Sequence, residues 1–188
     1  MRPALKAALL FAAGWIAIKF TFYAMGVFQD DIFVTGLINN LFLLAAIAIG
    51  LYFEKKKEGF GSGTALSDIK HSMVAGAPYA VFVSIFMFFF YSNINPEFIE
   101  GKKQERMDIY YVNMERESYV DSLKAQNQEF NVLTNDEILK EIERDTESAL
   151  SPNTLLVFSL LGLIVLSLTY AIFITVIFRK ILLRNFYS

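Results

Sequence analysis

A chain of 188 residues, 55% of them hydrophobic and with a net charge of −2, suits either one soluble domain or a handful of membrane spans. The placement of charge decides for the membrane: long uncharged stretches alternate with dense charge clusters, whereas a soluble fold spreads its charges along every helix. There is no cysteine and a single histidine, His71, which excludes disulfides, thiol chemistry, haem attachment and zinc sites built on Cys or His clusters.

Four stretches reach the roughly 20 apolar residues that a helix needs to cross a hydrocarbon core. They run from about Ala7 to Phe28, Ile32 to Phe53, Met73 to Asn93 and Asn153 to Phe178, and all but the first lack charge. Helices are the expected form, because lone strands leave backbone groups unpaired in lipid and a barrel shows alternating polarity. Arg2 and Lys6 before an apolar run imitate a signal peptide. The run continues past Lys19 to Phe28 without an A-x-A cleavage pattern, so the first helix is expected to be retained.

Basic residues near helix ends set the expected orientation. Arg2 and Lys6, then Lys55, Lys56, Lys57 and Lys70 between the second and third spans, then Arg179, Lys180 and Arg184, place nine cations on one side. The other side has Asp30 and Asp31 and, between Ile94 and Leu150, fourteen acids against seven bases. Lys102, Lys103 and Arg106 oppose this choice but are outnumbered. Both termini are therefore expected in the cytoplasm.

The loop from Lys55 to His71 holds Gly59, Gly61 and Gly63, read as a flexible turn, then Thr64 to His71 as a short helix feeding the third span. It lacks the GxxxxGK[ST] spacing of a phosphate-binding loop. At the far end of the third span, Phe88, Phe89, Phe90 and Tyr91 fit an aromatic belt at the outer interface.

After Asn95-Pro96 a polar helix is expected to reach about Gln128, with a narrow apolar seam of Val112, Tyr119, Leu123 and Phe130. Thr134 and Glu137 form a capping-box pattern that opens a second helix with Ile138, Leu139, Ile142 and Ala149 on one side. The outgoing arm spans ~48 Å and the returning one ~24 Å, so a straight hairpin does not close. Either the outgoing arm bends, with Gly101 the expected place, or it lies partly along the membrane surface before the chain turns back. Asp136, Glu137, Glu141, Asp145 and Glu147 have the spacing of a solvated helix face, not of an EF-hand loop.

Lys19 stands out, since a lysine inside a span costs about 2.5 to 3.5 kcal/mol on insertion scales. Asn39 and Asn40 on the second span and Tyr23 one turn away lie at reachable depths. Together they are a candidate intramembrane polar site, either for an ion or anionic substrate or as a structural hydrogen-bonded lysine. The spans carry no carboxylate for a proton relay. Small residues recur at helical spacing in Ala13 and Ala17, Ala46 and Gly50, Gly76 and Ala80, and Ser167 and Ala171, as close helix packing requires. Pro78 is a candidate kink.

The order of features, with Gly14-Trp15 in the first helix, a basic loop, Asn-Ile-Asn-Pro-Glu-Phe-Ile-Glu after the third, an acidic helical insert, then Ser151-Pro152 and a final helix ending in Arg-Lys, resembles the bacterial membrane family catalogued as domain of unknown function 4199. The resemblance covers nearly the whole chain. It implies this fold and the inner membrane of Gram-negative bacteria, and it brings no catalytic residues.

The sequence thus predicts an all-α, integral membrane four-helix bundle with an extracytoplasmic helical insert between helices three and four. Residues 1–93 hold three spans with a cytoplasmic loop at 54–72, residues 94–150 the insert, and residues 151–188 the fourth span and basic tail. No catalytic, cofactor-binding or metal-binding residues are expected, because no nucleophile and base pair stands out. The expected partners are membrane lipid and a membrane or periplasmic protein or a second copy of the chain, with no nucleic acid. Val112, Tyr119, Leu123, Ile138 and Ile142 are the candidate partner surface of a non-enzymatic interaction or structural module. The alternative is a small oligomeric transporter or channel component built around Lys19.

Overall fold

The computed structural model describes residues 1–28 and 31–182. Asp30 and Arg184, both used in the charge reading, lie outside the described residues. The elements in order are α1 (Pro3–Met25), α2 (Ile32–Glu58), α3 (Ala65–Phe89), α4 (Pro96–Met114), α5 (Glu117–Gln126), α6 (Asn135–Ala149) and α7 (Pro152–Ile177). Among the described residues there is no strand. The chain divides into two compact units, one of residues 1–87 with the chain from 157 onward and one of residues 88–156.

Four helical segments, Pro3–Met25, Ile32–Glu58, Ala65–Ile94 and Pro152–Ile181, are long and apolar enough to cross a membrane. Their ends follow local chemistry. Gly26 closes α1 in the left-handed conformation at φ 67°, which costs an L-residue energy and glycine little. The Asp31 carboxylate caps α2 by accepting from Val34 N–H at 2.9 Å. The turn expected at Gly59, Gly61 and Gly63 separates α2 from α3, with Gly59 and Gly63 both at positive φ. The short helix expected from Thr64 is the first turn of α3, and α3 runs on through Pro78 without ending.

In the first unit, α1, α2, α3 and α7 share one apolar core that includes Trp15, Leu43, Ile47, Leu51, Tyr79, Val83, Leu163 and Ile174. The Trp15 and Phe86 rings meet edge to face at 5.7 Å. Small residues set the helix spacing: a Cβ on Gly50 would lie 2.8 Å from Ala75 Cβ, and one on Gly76 would lie 2.8 Å from Ser167 Cβ. Three of the four expected small pairs sit in these contacts. Ala13 and Ala17 do not, being exposed, and the packed stripe of α1 is Ala4, Ala8 and Ala12. Spacing alone cannot say which of two alanine stripes on one helix faces the core.

The second unit begins in a wide turn of π type at Phe90–Ile94, where Asn95 N–H donates to the Phe90 carbonyl at 2.9 Å. The turn rotates the aromatic run: Phe89 is exposed, whereas Phe90 and Tyr91 are buried, with Tyr91 stacked on Phe98 at 5.1 Å. Pro96 then opens α4 at its first turn. The arm breaks at Glu115 and Arg116, where Arg116 adopts an extended backbone, and not at Gly101, which lies inside α4 with open space around it. The break lets Met107 and Met114 of α4, Val120 of α5, Phe130, and Ile138 and Ile142 of α6 gather into one small core. Thr134 and Glu137 make the expected reciprocal capping box at the start of α6.

Candidate functional site

At the end of the first unit where α2 stops and α3 begins, four charged side chains from three helices are drawn together. The buried face of α2 runs Leu43, Ile47 and Leu51 at four-residue steps, and the next step is Lys55. That of α3 runs back through Tyr79, Ala75 and Ser72 to Asp68. That of α7 runs Ala171 and Thr175, and the next four-residue step is Arg179 in the π-type turn Phe178–Leu182 that continues the helix. Each helix therefore delivers a charge from its core stripe to the same level.

Asp68, 2% exposed, receives both cations. Lys55 Nζ lies 2.8 Å from Asp68 Oδ1, close as an ion pair although not aligned as a hydrogen bond, and Arg179 Nε donates to Asp68 Oδ2 at 2.6 Å. Each cation also donates to a loop carbonyl: Arg179 Nη2 to Gly63 O at 2.8 Å, and Lys55 Nζ to Ser62 O. Gly63 bends this loop at φ 76°, which exposes those carbonyls to the cations.

Next to Lys55, Glu54 is buried and its Oε1 accepts from Ala4 N–H at 3.3 Å. Ala4 is in the first turn of α1, whose amides have no partner within the helix and whose N-cap, Arg2, supplies none. A carboxylate from α2 thus caps α1 and meets the positive end of its dipole. Two carboxylates and two cations balance, and through them all four helices of the unit are tied at one level. A buried charge of this kind is strongly destabilising if its partner is removed, because desolvation is then uncompensated. The arrangement is a latch: it fixes helix ends and a loop, and both Asp68 oxygens are already engaged.

Charge counting uses Lys55 and Arg179 as topology signals and singles out neither Asp68 nor Glu54. The signal that finds them is the continuation of each core stripe past the apolar stretch.

Of the residues predicted for an intramembrane site, Lys19 is buried at 3% exposed, about 9 Å before the end of α1. Tyr23 and Asn40 are half-buried. Asn39 is bridged to α3, its side-chain oxygen accepting from the Tyr79 hydroxyl at 2.7 Å. The structure thus gives a polar bridge between α2 and α3 in which Tyr79, unremarked in the sequence, is the donor. On the insert, Ile138 and Ile142 lie inside its core, Tyr119 and Leu123 pack against that core, and Val112 is 61% exposed. The inward turn of α6 follows from its strong amphipathicity, which a lone small unit must spend on its own core.

The fold and the latch define the chain as an all-helical membrane protein with four apolar spans. It belongs to the family described as protein of unknown function (DUF4199), whose model matches residues 6–180. No curated protein and no solved structure matches the chain significantly.

Proposed function

We propose that the chain is a non-enzymatic interaction module of a bacterial inner membrane, in which the latched bundle anchors the 94–150 insert on the periplasmic side and both termini lie in the cytoplasm. The observation that carries this reading is an apolar pair left over after the insert has built its core. Ile109 and Val112, three residues apart on α4, lie on the face opposite Met107 and Met114, and both are more than half exposed. With exposed Tyr111 between them and charged residues around them, they give α4 a small apolar face on the side away from the insert core, which is the surface of a helix-on-helix contact, with another protein or with a second copy. The acid excess of the insert and the basic residues at the opposite helix ends support the orientation.

The test is Val112→Glu combined with Ile109→Gln, both at exposed positions that the fold tolerates. Loss of a co-purifying protein or of self-association is expected. A variant that retains every partner of the native chain sinks the proposal.

A second reading, an oligomeric transporter or channel component, is favoured by buried Lys19. The core of one copy is filled at this point by Trp15, Leu43, Tyr79 and Val83, so a pathway would have to run between copies. Lys19→Leu should then abolish a measurable flux; a stable protein without transport phenotype favours a structural lysine.

A further inference from the structure

On the outer face of α1 and α2, at the end that carries the latch, a groove of ≈ 290 Å³ runs between Ala7, Leu10 and Phe11 of α1 and Ile49 and Phe53 of α2. Its walls are almost wholly apolar, and Lys6 is the one charged residue lining it. The volume is at the low end for a ligand pocket and suits part of a single chain-like molecule.

The charges around its mouth are one-sided. Arg2 is the residue that precedes α1, and Lys56 and Lys57 lie one turn beyond Phe53 on α2. All four cations are exposed. The two carboxylates that share this stretch of α2 are turned to other partners: Glu54 accepts from Ala4 N–H inside the bundle, and Glu58 lies 3.5 Å from His71 Nδ1 of α3. The mouth therefore presents cations alone above an apolar slot on a surface that faces lipid.

We propose that this groove is a specific site for an anionic phospholipid, one acyl chain lying along Leu10 and Phe53 and the phosphate headgroup held by Lys6 and Lys57. A long apolar tail joined to a negatively charged head is the ligand class that satisfies both halves of the site, and a zwitterionic lipid satisfies only the first. The site is independent of any partner of the insert.

Tryptophan quenching by brominated lipid tests the assignment. Phe53→Trp places an indole in the groove wall, Leu10→Trp places one in the opposite wall, and Phe173→Trp on exposed α7 reports ordinary boundary lipid. Native Trp15 is buried and adds a constant background. The proteins are reconstituted in phosphatidylcholine vesicles containing dibrominated phosphatidylglycerol or dibrominated phosphatidylcholine. The groove indoles should show the anionic lipid bound about thirtyfold more tightly than the zwitterionic one, about fivefold for each of the two lysines that hold the headgroup. Lys6→Gln with Lys57→Gln should bring the ratio to about one, as at the α7 position. Equal quenching by both lipids in the native groove would show boundary lipid only and overturn the assignment. Absence of quenching by either would show that a protein segment covers the groove, and overturns it equally.

Discussion

At the scale of single residues, the buried charges of the bundle meet at Asp68. Asp68→Asn leaves Lys55, 1% exposed, and Arg179 without their carboxylate, and the expected loss is about 3 to 5 kcal/mol. Thermal unfolding in detergent should show it as the largest single effect among the latch variants. Lys55→Met with Asp68→Leu should lose much less, because the buried charges leave together and Arg179, 21% exposed, can turn to water. A double variant as unstable as Asp68→Asn would contradict the latch. Tyr79→Phe removes the donor to Asn39 and should cost about 1 to 3 kcal/mol without changing the core volume.

At the scale of elements, two devices are separately testable. A side chain at Gly76 forces α3 away from Ser167 of α7, so Gly76→Ala should cost about 1 to 3 kcal/mol. Gly162→Ala, where nothing lies within 4 Å, should be neutral or slightly stabilising. The capping box of α6 is pH-sensitive. Glu137 is held below the usual carboxylate range, first by the Thr134 backbone N–H, then by the Thr134 hydroxyl and, more weakly, by Lys140. With the folded value the lower, the cap contributes fully above the unfolded pKa and is lost as pH falls through the folded one. Amide exchange at Thr134, whose N–H donates to the Glu137 carboxylate, and in the first turn that the box holds should quicken relative to the rest of α6 below that point. Thr134→Ala should produce the same quickening at neutral pH, several-fold for a cap worth about 1 kcal/mol.

These elements also show what the sequence carries. The four spans, the glycine turn and the capping box were legible because each rests on local chemistry: apolar length, positive φ, a side chain reaching its own backbone. The break at Arg116 was not, since it is fixed by the joining of Met107, Met114 and Ile138 across distant positions. The latch was half legible. Its residues continue the core stripes of three helices, but the pairing of Lys55 and Arg179 with one aspartate depends on where a loop and a final helix end meet, and charge counting assigns both to topology. Lys19 stands out in the sequence by its cost inside a span, and the structure buries it, while the role of Tyr79 in holding Asn39 depends on a neighbour that periodicity does not name.

For the whole molecule, the account is of a membrane bundle held by close glycine contacts and a charge-balanced latch, carrying a helical unit with its own core. The absence of cysteine from the sequence makes sidedness simple to read. Cysteines introduced at Ser62 and at Asn113 should react with an impermeant reagent from opposite faces of the membrane, the second from outside. The central claim is that the insert engages a partner through the outer face of α4. A photoreactive residue at Val112 in native membranes, compared with one at Tyr119 against the insert core, tests this most directly. The account predicts a discrete protein adduct from Val112, another copy of the chain or a second protein, and little from Tyr119. Adducts to lipid alone from Val112, or the same adducts from both positions, would contradict it.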